Sequence, residues 1–169
     1  AVAAGTKLDV FRDLANKNLK HTNLKTPRRI PSNSEFILNR IGVVICQAFS
    51  GKVPSGKDIL KYAYNGTLRF TINDRLVTEG PLLKYQSGYG VTGSTTANDL
   101  SAFTIGTASA AAAPSLLVSQ VINDKDDLGG EISFPNDIWI TAASVMFTPD
   151  GRNVFGTYLH GFVKKPQGT

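Results

Sequence analysis

From Glu35 onward the chain is written in short runs of β-branched and aromatic residues separated by turn residues. That rhythm constrains the fold more than any other feature. TLRFTIND (67–74) alternates cleanly, with Leu68, Phe70 and Ile72 on one side and Thr67, Arg69 and Thr71 on the other. A period of two belongs to a strand with one buried face. Asn73-Asp74 supplies a turn, and RLVTEGPLLKY (75–85) returns. EFILNRIGVVICQAF (35–49) is the longest run, and Gly42 inside it predicts a bulge or a close backbone approach. SAFTIG (101–106), SLLVSQVI (115–122), EISF (131–134), DIWITAASVMF (137–147) and NVFGTYLHGFV (153–163) bring the expected total to eight or nine strands. Pro149-Asp150-Gly151 predicts an antiparallel hairpin between the last two runs. Its buried face is expected to include Trp139, Val145, Phe147, Phe155 and Leu159.

One helix is expected. Ser55-Gly56-Lys57-Asp58 fits a capping box, Ile59, Leu60, Tyr62 and Ala63 follow, and Gly66 is a natural stop. ASAAAAP (108–114) is either one helical turn cut by Pro114 or a small-residue loop. With 169 residues the chain is long enough for one domain with its own core. The predicted fold is all-β: a single jelly-roll or related Greek-key β-sandwich of about eight strands, with one short helix and an extended N-terminal arm. An immunoglobulin-type sandwich is the alternative. Cys46 is the sole cysteine, so that fold's paired-cysteine marker is absent. Cys46 lies in the apolar run GVVICQAF and reads as a buried structural thiol. No apolar run approaches the roughly 18 residues of a membrane-spanning helix.

Charge divides the chain at residue 34. Residues 1–34 carry Lys7, Arg12, Lys17, Lys20, Lys25, Arg28 and Arg29 against Asp9 and Asp13, which accounts for the whole formal charge of +5. The division predicts a basic arm and linker over 1–34 and a neutral β-sandwich over 35–169. A cationic arm suits contact with nucleic acid, anionic lipid or an acidic neighbouring subunit. Its start, AVAAGTKLDVF, lacks the charged-then-apolar layout of a secretory signal. Residues 8–19 fit a short helix bearing Leu8, Phe11, Leu14 and Ala15 on one face, and Leu8 and Val10 equally fit the start of a strand. Pro27 and Pro31 make 20–34 read as an extended linker or clamp over a surface.

Tests for chemistry return little. Gly88-Tyr89-Gly90-Val91-Thr92-Gly93 matches a phosphate-loop pattern, but no βαβ unit surrounds it, so an exposed loop is expected. His21 and His160 stand in unrelated contexts, and His160 reads as a packed or edge residue. Asp124, Asp126, Asp127 and Glu131 form the best candidate for a metal site, through hard oxygen ligands to calcium. They lack EF-hand spacing, so a solvated hairpin tip is the favoured reading. Asn65-Gly66-Thr67 is a glycosylation sequon that also serves as a turn before a strand. No nucleophile elbow occurs and nothing selects a pair among the 13 acidic residues. The expectation is a non-enzyme without a cofactor.

A neutral β-body with a cationic arm fits a subunit that works by assembly. In the arm through PRRIP, in EFILNRIGVVI, SGKDILKY and TLRFTINDRLVTEGPLLKY, and in the terminal pair DIWITAASVMF and NVFGTYLHGFV, the layout resembles a known family. It is similar to the small single jelly-roll major capsid proteins of tailless, icosahedral, membrane-containing bacteriophages, the type known from Thermus. The resemblance implies a virion location and self-assembly, often with a second capsid protein. It also implies that arm residues such as Lys17, Lys20, Lys25, Arg28 and Arg29 contact a neighbour or internal membrane lipids. The competing expectation is a carbohydrate- or receptor-binding β-sandwich such as a phage spike, in which Tyr85 and Tyr89 of YQSGYG would stack on a sugar.

Overall fold

The computed structural model describes residues 3–12, 22–45, 56–85, 91–92, 104–105, 115–138 and 155–165. The described chain forms β1 (Thr6–Asp9), β2 (Glu35–Ile45), α1 (Gly56–Asn65), β3 (Thr67–Ile72), β4 (Arg75–Pro81), β5 (Val91–Thr92), β6 (Thr104–Ile105), β7 (Ser115–Asn123), β8 (Leu128–Phe134) and β9 (Phe155–Lys164). Four strands make one antiparallel sheet in the order β1-β8-β3-β4, three make a second in the order β7-β2-β9, and β5 pairs with β6.

The alternation of the sequence is the reason for the two larger sheets. Along β8, Leu128, Gly130, Ile132 and Phe134 are buried while Gly129, Glu131 and Ser133 are partly exposed. On β3, Leu68 and Phe70 face the same interior. Leu38, Ile41 and Val43 of β2, Ile122 of β7 and Leu159 of β9 meet them in one core, so the two sheets form a β-sandwich. Phe11 stands edge-on to Phe70 at 6.1 Å, and Tyr62 of α1 stands edge-on to Phe134 at 5.7 Å. Such aromatic pairs add about 1 kcal/mol beyond the area they bury. The helix ends where Gly66 was expected to stop it, with the Gly66 N–H bonded to the Tyr62 carbonyl at 2.9 Å.

Several local expectations change. The irregularity in β2 falls between Leu38 and Arg40 rather than at Gly42. The close backbone approach belongs to Gly161 on β9, where an added Cβ would collide with the Ile37 carbonyl. The run RLVTEGPLLKY is a strand only to Pro81, after which Leu82–Tyr85 turns as a 3-10 helix that buries Leu82 and Tyr85. Proline is tolerated there because β4 is an edge strand, and the Leu82 N–H still reaches the Gly66 carbonyl at 2.8 Å.

The largest departure concerns residues 1–34. Of the two readings open for its start, the structure has the strand, Thr6–Asp9, and the Gly5 and Val10 N–H groups extend its ladder to the Phe134 and Gly130 carbonyls. Val10, Phe11 and Ile30 belong to the core. The described part of the segment read as an arm and linker is therefore packed into the sandwich. Trp139, Val145, Phe147, Cys46, His21 and 108–114 lie outside the described residues, as does the hairpin at 149–151. Leu159 is buried as expected.

Candidate functional site

The outer face of the four-stranded sheet is charged. Asp9 of β1, Glu131 of β8, Arg69 of β3 and Glu79 of β4 lie in one row across the strands. Lys7 adds an ion pair to Glu131 at 3.1 Å. Beside the row runs a groove of about 350 Å³ lined by Lys7, Asp9, Arg28, Arg69, Asp74 and Glu131. Its charges alternate in sign, so it concentrates neither anions nor cations.

Arg28 holds the edge of this face together. Its Nη2 donates to Asp9 Oδ2 at 2.7 Å and its Nη1 to Asp127 Oδ2 at 3.2 Å. Its backbone N–H donates to the Phe11 carbonyl at 3.1 Å, and its carbonyl accepts from Leu128 N–H at 2.8 Å. Burial pushes the Asp9 carboxyl up, but the Arg28 guanidinium and the N–H groups of Phe11 and Arg12 outweigh it and hold Asp9 below its ordinary value. The same bond to Asp9 raises Arg28 further. Arg28, expected in the basic arm, is thus half-buried and paired within its own chain.

The acidic cluster does not converge. Asp124 accepts from the Asn33 N–H at 2.9 Å, Asp127 takes Arg28, and Glu131 takes Lys7. Asp126 accepts from Asn73 Nδ2 and the Asn123 N–H, both at 2.7 Å. Those two donors depress its pKa, the Asn123 N–H most. Asp124, Asp126 and Asp127 pin the 123–127 turn to the 28–33 segment and to the β3–β4 turn, and Glu131 ties β8 to β1. Among the described residues, no group of three or more acidic, histidine or cysteine side chains is placed to hold a metal ion.

The outer face of the three-stranded sheet is mixed, with Glu35 opposite Lys164 at one end and an apolar row beside them. Val121 of β7, Ile37 of β2 and Phe162 of β9 share one row across the strands. Phe162 is 69% exposed and Val121 53%, and Leu117, two residues before Ser119 on the same strand, is fully exposed. His160 stands opposite Arg40 on this sheet. Burial, then the Arg40 charge, lowers the imidazole pKa.

Of the residues predicted to form a basic arm, Lys7, Arg12, Lys25 and Arg29 are exposed, and Lys17 and Lys20 lie outside the described residues. Tyr85 does not offer a sugar-stacking face: it is 2% exposed and its hydroxyl bonds to Thr78 at 2.8 Å. Burial is also the main cause of its raised pKa. Tyr89 lies outside the described residues. The sequence reading missed the apolar outer face. Its signal was in SLLVSQVIN, which contains no charged residue at either parity. Comparison of the chain with protein-family models, with curated proteins and with solved structures finds no match.

Proposed function

We propose that this chain is a structural subunit of an icosahedral viral shell, a capsid protein that works by self-assembly and carries out no reaction. The observation that carries the proposal is the inequality of its two outer faces. One is a solvated lattice of charges; the other presents Phe162, Val121 and Leu117 to the exterior. Exposed apolar surface gathered on one sheet marks a face that is covered in the working state. The finer fold reading is a single jelly roll, supported by the pairing of β2, the first strand after residue 34, with β9, the last. Its partners are copies of itself, together with a second capsid protein, and its place is the virion. The exposed Lys7, Arg12, Lys25 and Arg29, with Lys17 and Lys20, tie subunits together or face an internal membrane or the genome.

The test is assembly of the full chain, judged by sedimentation, with one substitution on each face. Phe162→Lys places a charge on the apolar face and should abolish large particles while leaving a folded subunit. Glu79→Gln on the charged face should leave particle formation intact. Particles that survive Phe162→Lys unchanged would overturn the role given to this face.

A further inference from the structure

A sandwich has four strand edges, and the chain treats them unequally. Among the described strands, β1 and β4 end one sheet and β7 and β9 the other. β1 is four residues long and carries Lys7 and Asp9. β4 carries Arg75, Glu79 and Pro81. Short length, charge and proline are the usual means of keeping an edge from pairing with another chain. The edge of β9 is closed differently. The Asn23 side chain donates to the Leu159 carbonyl at 2.7 Å and accepts from its N–H at 3.1 Å, and Thr22 bridges Thr157. One asparagine amide there stands in for a neighbouring peptide.

β7 is guarded only by its bulge and by the Gln120 side chain on the Val118 carbonyl. SLLVSQVIN contains no charge and no proline over its nine residues, and no described strand pairs with its other edge. It also pulls away from β2. The register passes from Leu38↔Gln120 to Arg40↔Ser115, so residues 116–119 of β7 stand against Asn39 alone. In the single chain the Val118 carbonyl accepts from its neighbour Gln120 Nε2 at 3.0 Å, and the Val118 side chain is 69% exposed.

The residue order around Ser119 indicates what would pair here. Read outward from Ser119, Leu117 answers Val121, Leu116 answers Ile122 and polar Ser115 answers polar Asn123, while the innermost pair sets apolar Val118 against polar Gln120. A strand with this mirror order is its own complement when it is turned end for end. Antiparallel pairing about a two-fold axis at Ser119 would set Leu117 of each copy against Val121 of the other. The apolar pairs at 116/122 would lie on the opposite side. An isologous contact requires this reciprocity, and an uncharged strand meets its twin without repulsion despite the chain's +5. We propose that β7 pairs antiparallel with β7 of a second copy of this chain, with Ser119 opposite Ser119. The two three-stranded sheets become one six-stranded sheet whose apolar outer faces are continuous. This rests on the reading of the chain as an assembling subunit, and it names the strand by which two subunits join.

Directly opposed residues of an antiparallel pair have Cα atoms about 4.5–5.5 Å apart, within the span of a disulfide. The full chain is therefore made with Cys46→Ser and a single new cysteine, oxidised, and run without reductant. Ser119→Cys should cross-link to a dimer. Ser115→Cys alone should not, whereas a mixture of Ser115→Cys and Asn123→Cys chains should. Cross-linking of Ser115→Cys as readily as Ser119→Cys would mean random collision and would overturn the proposal. A native chain that sediments as a large assembly while Ser119→Cys stays uncross-linked would also overturn it, leaving the assembly reading intact. A cross-linked Ser119→Cys dimer in a chain that never exceeds a dimer would support the β7 pairing and remove the shell. A chain that stays monomeric and uncross-linked would overturn both.

Discussion

Arg28 shows how much one residue can decide here. It has a positive φ of 55°, a conformation that costs a non-glycine residue roughly 1 kcal/mol. It keeps that conformation because its side chain reaches Asp9 and Asp127 while its backbone joins Phe11 to Leu128. Arg28→Ala should lower stability by about 1–2 kcal/mol, the exposed parts of both ion pairs being screened by water. Thermal unfolding measures this directly. Asp9 adds a pH signature. Its carboxyl has a lower pKa folded than unfolded, so its contribution is complete above the ordinary carboxylate range. The contribution fades as pH falls through the depressed value. The gap in melting temperature between the native chain and Asp9→Asn should therefore be widest at neutral pH and close as pH falls through the depressed Asp9 value. A gap that persists in acid would place the stabilising bond elsewhere.

At the scale of elements, the β3–β4 turn and the β2–β9 ladder make separate predictions. Asn73 and Asp74 both have positive φ, at 50° and 62°, in a two-residue turn where asparagine–glycine is the favoured pair. Asp74→Gly should stabilise the hairpin by about 1 kcal/mol in chemical denaturation. Gly161→Ala should do the reverse. Its Cβ meets the Ile37 backbone, which cannot rotate away, and about 3 kcal/mol of overpacking is the expected loss. These elements also show what the sequence made legible. β3 could be read because one of its faces is buried and the other wet, and α1 because its start and stop are chemical. β1 could be read only in part, because Leu8 and Val10 fit a strand as well as a helix and the adjacent buried Val10 and Phe11 keep no period that decides between them. Arg28 read as an arm charge available to a partner because its own partners lie 19 and 99 positions away. The composition of β7 marked it as a strand, but an apolar run looks the same whether the fold covers it or leaves it open.

For the whole molecule, the basic segment is not a detachable tail. Deleting residues 1–34 removes β1, Val10, Phe11 and Ile30 from the core, so the remaining chain should fail to unfold cooperatively. Phe11→Ala alone should cost about 3–5 kcal/mol. The arm's electrostatic role is better probed by changing exposed charges such as Lys25 and Arg29, which hold no described core contact. One sheet turns a charged outer face to water and the other carries an exposed apolar row, with the outer edge of β7 unpaired among the described strands, and a subunit that is covered by its neighbours accounts for both. The measurement that bears on this most directly is density-gradient sedimentation of the native protein from its source, with electron microscopy of the fraction that contains it. The account predicts many copies in an icosahedral particle. Recovery of the chain only as a monomer or small oligomer would contradict it.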